Sequence, residues 1–82
     1  MAELQVVRLH RFDGDSKLKA FCDISIGEFV VKGLKVMEGK NGLFLSMPAE
    51  KAKDGKWYDV VFPVTPQAKK DITQLVLDAY SA

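Results

Sequence analysis

The sequence predicts an α+β domain, a twisted antiparallel sheet of about five strands with one C-terminal amphipathic helix packed on a face. Three observations predict it. Residues 17–26 alternate between apolar and polar side chains, with Phe21 the one apolar residue on the outward parity, the period of a half-buried strand. Short apolar runs on either side are separated by Gly-containing turn sequences at hairpin spacing. After Thr65-Pro66 the period changes to that of a helix and keeps it to Ala79.

Taken in order, Glu3 to Phe12 begins with Leu4 and Val6 on one parity and continues with Val7 and Leu9 on the other, so a bulge near Val6-Val7 is expected. Asp13-Gly14-Asp15 is a turn. In the next strand Leu18, Ala20, Cys22, Ile24 and Ile26 face the core, and Lys17, Lys19, Phe21, Asp23 and Ser25 face out. Gly27-Glu28 has the Gly-first composition of a type II′ hairpin, returning Phe29 to Met37 antiparallel. Phe29 and Val31 differ in parity from Leu34 and Val36, and Gly33 stands between the pairs. A bulge there would bury all four and leave Lys32 and Lys35 in solvent. Gly39-Lys40-Asn41-Gly42 supplies the next turn.

Residues 42–62 read as strand, exposed loop, strand. Pro48 bars the first run from continuing as a regular ladder, so the charged segment Ala49 to Lys56, turning at Asp54-Gly55, is expected to project outward as the link to the fifth strand. Thr65 is the expected N-cap and Pro66 the first helical residue, where its missing N–H costs nothing. Ala68, Ile72, Leu75, Val76 and Ala79 form the stripe expected to meet the sheet. Leu77 falls outside it, free for solvent or a partner subunit.

The chain of 82 residues predicts a single domain, 1–82, with a thin core. With 48% hydrophobic residues and one cysteine, a second copy of the chain is an expected source of further buried area. The lone Cys22 and lone His10 cannot build a four-ligand zinc site, and no cofactor is expected. No apolar run approaches membrane-spanning length and no leader is apparent, so a cytoplasmic protein is expected. The net charge of +1 gives no bulk attraction to phosphate, so nucleic-acid binding would need cations sorted onto one surface.

Gly42-Leu43-Phe44-Leu45-Ser46-Met47-Pro48, followed by Asp54-Gly55, Asp59 and Pro63, resembles the signature of the stage V sporulation protein G (SpoVG) family. Val7-Arg8-Leu9 with Arg11, Ile24-Ser25-Ile26 before Phe29-Val30-Val31, Lys35-Val36 before Gly39-Lys40-Asn41, and the C-terminal helix ending at Tyr80 follow the family's order over nearly the whole chain. The resemblance implies a small bacterial homodimer that binds DNA, in some members RNA, as a regulator of gene expression or of septation and sporulation.

Three groups of cations are candidates for that contact. Lys51, Lys53 and Lys56 lie on the projecting loop, and Lys69 and Lys70 lie in the first helical turn near free N–H groups. These two groups, joined by the short path from Asp59 to Thr65, are placed ahead of a third on the sheet's outer face. There Arg8, His10, Lys19 and Phe21 share a surface that Lys32 and Lys35 extend, able to hold phosphates and stack a base. Against each stands the plainer reading of a solvated surface. The chain departs from the family where Glu50 precedes Lys51, since members carry two adjacent basic residues soon after Met-Pro, and a carboxylate there would repel phosphate.

No catalytic residue is expected: His10 has no nucleophile at a recognisable motif, Cys22 lies on an apolar face, and no glycine-rich loop opens a helix. The expected function is nucleic-acid binding as a homodimer, without membrane or small-molecule partners. The alternative is a protein-interaction module that docks another regulator.

Overall fold

The computed structural model describes residues 3–12 and 14–82, so Asp13 of the first expected turn lies outside the described residues. Strands β1 (Leu4–Arg11), β2 (Leu18–Ile26), β3 (Phe29–Gly39) and β4 (Gly42–Ser46) pair in that order as an antiparallel meander. Strands β5 (Ala49–Lys51) and β6 (Trp57–Asp59) form a separate two-stranded ribbon, and helix α1 (Pro66–Ser81) follows. The α+β class is as expected, with one correction to the sheet. The expected fifth strand does not join it, because Pro48 turns the chain away from β4 and the Pro48 carbonyl accepts the Val60 N–H at 2.9 Å. Trp57–Asp59 folds back on Ala49–Lys51 instead, so the segment expected to be loop is itself half of a hairpin.

Both expected bulges are present. In the β1–β2 ladder Val6 pairs Ile24 and Arg8 pairs Asp23, which leaves Val7 as the extra residue, 56% exposed, while Leu4, Val6 and Leu9 all pack on the core. In the β2–β3 ladder Cys22 pairs Leu34 and Ile24 pairs Val31, so Lys32 and Gly33 together oppose Asp23. Gly33 has φ +86°, a left-handed conformation that costs a residue with a Cβ about 1–2 kcal/mol. Lys32 and Lys35 are exposed and Leu34 and Val36 fully buried, as the bulge requires. Val31 is half-buried against the core, and Phe29 is the exception. It is 78% exposed, because its place beside the Gly27-Glu28 turn lies at the end of the sheet, past the buried stretch from Ala20 to Ile24. In that turn Gly27 alone has positive φ, at +58°, as the first position of a II′ turn demands. A third irregularity, at Lys19 between the Leu18–Met37 and Ala20–Val36 pairs, has no counterpart in the sequence pattern.

The Thr65 hydroxyl accepts the Ala68 N–H at 3.1 Å, the expected N-cap, and Pro66 heads the helix. The helix is rotated from the expected stripe. Ile72 and Val76 are buried as expected, but Leu77 and Tyr80 complete the contact, so Leu77 is a core neighbour and not a free apolar side chain. Arg11 supplies part of the reason. Its guanidinium donates to the main-chain oxygens of Ala79 (2.9 Å), Tyr80 (2.9 Å) and Ala82 (3.2 Å) and lies 5.7 Å over the Tyr80 ring, drawing that face of the helix onto β1. The last helical turn holds no basic residue of its own, so a strand provides the cation that its carbonyl end favours.

The core consists of Ala20, Cys22, Ile24, Leu34, Val36, Ile72 and Val76, with no buried polar side chain among the described residues. Burial, reinforced by the neighbouring Asp23 charge, pushes the Cys22 thiol above its ordinary value. A thiol in that state packs as a small hydrophobe.

Candidate nucleic-acid interface

The β5–β6 hairpin decides how the charges after Pro48 are presented. Its register pairs Ala49 with Asp59, Glu50 with Tyr58 and Lys51 with Trp57. Alternation along a strand therefore puts Lys51 and Trp57 on one face and Glu50 and Tyr58 on the other. The carboxylate adjacent in sequence is not adjacent in space. At the turn the Asp54 carboxylate accepts the Lys56 N–H at 2.9 Å and the Tyr58 hydroxyl at 2.8 Å. Those bonds, the Lys56 N–H first, hold the Asp54 carboxyl below its ordinary value, and the Tyr58 phenol is raised in turn by donating to it. Lys53 and Lys56 flank this turn, both exposed. Counting Asp59, which alternation places on the same face as Lys51 and Trp57, the hairpin's three lysines are matched by three carboxylates, so neither face of the hairpin is purely cationic.

Lys69 and Lys70 are exposed in the first turn of α1. The N–H groups beside them are mostly engaged: Pro66 has none, the Thr65 hydroxyl takes that of Ala68, and the Thr65 carbonyl takes that of Lys69 at 3.1 Å. An anion here would meet the lysine ammonium groups more than free backbone. Lys69 and Thr73 line a depression of about 370 Å³ with Phe44 and Ser46 of β4 and Asp59 of β6. The helix start and the end of the hairpin's return strand thus border one hollow, at the open edge of the sheet.

On the outer sheet face His10 pairs Phe21 and Phe21 pairs Lys35, so an exposed ring stands between basic side chains of both neighbouring strands. Arg8 lies one row along, opposite Asp23. The Val6-Val7 bulge puts it there, since an unshifted register would set Arg8 opposite the core residue Cys22. Lys19 is less available than the sequence suggests. Its ammonium lies 4.0 Å from the Glu38 carboxylate and 3.4 Å from the Gly14 carbonyl, and its side chain is 18% exposed. The sheet-face row continues to Ser46, the cross-strand partner of Lys35, which also lines the hollow beside Lys69. Sequence reasoning missed three contributors. Trp57 shares the Lys51 face through hairpin pairing, and Asp23 and Gly33 meet through a bulge, so only the correct registers could have revealed them.

A model of the SpoVG family matches residues 2–82. The chain belongs to the SpoVG family. It is 47% identical over 81 residues to a protein of Archaeoglobus fulgidus, covering 98% of this chain and 95% of that one. It is 37% identical over 81 residues to one of Acetivibrio thermocellus, covering 98% and 86%. A third, from Clostridium perfringens, is 37% identical over 75 residues, covering 90% and 83%. Each of these SpoVG relatives bears the name "Putative septation protein SpoVG". No helix among the described residues of this chain is long and apolar enough to cross a membrane.

Proposed function

We propose that this SpoVG-family chain is a non-catalytic, nucleic-acid-binding regulator that acts as a homodimer, in septation or sporulation-type control as its relatives' names suggest. One observation carries the reading. The hairpin sorts Lys51 with Trp57 and sends Glu50 to the opposite face, so the carboxylate next to Lys51 in sequence does not share its face. Asp59 lies on that face one alternate pair along, and a cation stands directly across from an exposed indole. A cation next to an exposed indole suits a nucleic-acid backbone and its bases. Lys53 and Lys56 at the tip and Lys69 and Lys70 across the hollow extend the contact.

The dimer follows from apolar surface. Val60, Val61, Phe62 and Val64 are each more than a third exposed. Phe62 and Val64 border a groove of about 260 Å³ that reaches Leu4, Ile26, Met47 and Ile72 between sheet and helix. A contiguous apolar surface on so small a chain is what a subunit interface covers. The same surface supports the second reading, docking of another regulator.

A salt series distinguishes the two. Binding to duplex DNA or single-stranded RNA, followed by gel shift, should weaken steeply as salt rises. Replacing Lys51, Lys69 and Lys70 together by Ala should lower the log–log salt slope by about one for each phosphate that these lysines neutralise. Absence of any shift at low salt would leave the docking reading in its place.

A further inference from the structure

A third pocket lies away from the hairpin and helix lysines, on the sheet face turned from α1. It has a volume of about 310 Å³ and is lined by Arg8, His10, Phe21, Asp23 and Gly33. That size is at the small end of ligand pockets and suits a single planar group. Its walls differ chemically from one another. Phe21 offers an exposed ring whose orientation is set by Phe12, edge-on at 5.2 Å, which His10 in turn contacts edge-on at 4.9 Å. Asp23 is half-buried and held in place, its Oδ1 accepting the Gly33 N–H at 3.1 Å, a bond that the β3 bulge makes possible. Oδ2 has no protein donor among the described residues, and neither does the Arg8 guanidinium have an acceptor there, although the two residues are cross-strand partners. Gly33 also lines the pocket, with open space where a Cβ would project.

The pocket therefore presents a stacking surface, a fixed acceptor and an unoccupied five-donor fork. We infer that it takes one unpaired guanine base of a single-stranded nucleic acid, stacked on Phe21, with Asp23 Oδ2 accepting from the amino edge and Arg8 donating to O6 and N7. This inference rests on the nucleic-acid reading above and adds to it a base-reading site distinct from the lysines that hold phosphate. Guanine is the base that satisfies both groups at once. Its O6 and N7 form the acceptor pair that arginine bonds in bidentate fashion, and its exocyclic N2 supplies the donor a carboxylate needs. Adenine and cytosine offer an amino group without that acceptor pair, and thymine and uracil have no amino group. The base must be unpaired, because in a duplex its faces are covered by neighbouring pairs and cannot reach Phe21.

The test is fluorescence anisotropy with labelled single strands of one length, all thymine or all uracil except for one central base. That base is guanine, adenine, cytosine or hypoxanthine, which keeps O6 and N7 but lacks the amino group. The guanine strand should bind roughly tenfold tighter than the adenine, cytosine and unsubstituted strands, with hypoxanthine between. Asp23→Asn keeps an oxygen for the Gly33 N–H, so the bulge should survive. It should abolish the difference between guanine and hypoxanthine. A guanine preference in either deoxyribose or ribose strands supports the pocket, and the sugar that carries it identifies the kind of strand. Equal affinity for all central bases overturns the guanine pocket and leaves the phosphate-binding reading standing. So does an Asp23→Asn protein that still separates guanine from hypoxanthine. Failure of every single strand to bind at low salt overturns the guanine pocket, and failure of duplex DNA to shift as well overturns the nucleic-acid reading.

Discussion

At Gly33 the backbone sits at φ +86° with open space where a Cβ would project. Substitution there is a conformational question and not a steric one. Gly33→Ala should destabilise the fold by about 1–2 kcal/mol, the cost of holding a Cβ-bearing residue in the left-handed region. A denaturant titration should register it as a lower midpoint at unchanged slope. If the midpoint does not move, β3 relaxes to a regular strand in the variant, and Lys35, now exposed, should then exchange faces with Leu34 and Val36. The need for a glycine at this position was visible in the sequence, because Phe29 and Val31 disagree in parity with Leu34 and Val36. The Asp23 carboxylate that the bulge engages was not visible. Its outward parity was plain, but its partner depends on which β3 residue the extra one displaces.

Among the elements, the β5–β6 hairpin carries its own pH dependence. Asp54, whose carboxyl is held below its ordinary value, contributes stability that is fully present above about 3.9 and is lost as the pH falls through its lower folded value. Tyr58, whose phenol is raised, contributes stability present below about 10 and lost as the pH rises through its higher folded value. Fluorescence of Trp57, the chain's one tryptophan, should therefore be flat between those limits and change beyond them. In Asp54→Ala the acid-side change should vanish; its persistence would assign it to another group. The helix end offers a second test. Arg11→Ala removes the donors to the Ala79, Tyr80 and Ala82 main-chain oxygens and should cost about 1–2 kcal/mol, with Arg11→Lys recovering only part, because an ammonium cannot match the guanidinium fork. A thermal melt of the two variants checks it. Local signals made the helix start easy to read in Thr65-Pro66. Its rotation was not readable, since Tyr80 turns inward where Arg11, a strand residue nearly the whole chain away, bonds it, and Leu77 packs on the core beside it.

For the whole molecule, the order of elements and the four-stranded meander could be read from turns and parity, because each hairpin joins neighbours in sequence. Where Trp57–Asp59 pairs could not. A short apolar strand fits a sheet edge or a ribbon equally well, and Pro48 decides between them only through a corner in three dimensions. That corner leaves Phe62 at 61% and Val64 at 86% exposure beside the groove, an open apolar surface on this side of the chain. Two-fold pairing would cover it and bring two sets of hairpin and helix lysines onto one ligand. Phe62→Asp with Val64→Asp alters exposed positions only, so the variant should stay folded by circular dichroism. Light scattering should then fall from twice the 9.1 kDa chain mass to the single value. Because each copy then meets nucleic acid alone, affinity should drop and the log–log salt slope should fall to about half. A variant that becomes monomeric yet keeps the full slope would show that one copy makes all the phosphate contacts. A wild-type chain that scatters as a monomer would assign the apolar groove to a different protein.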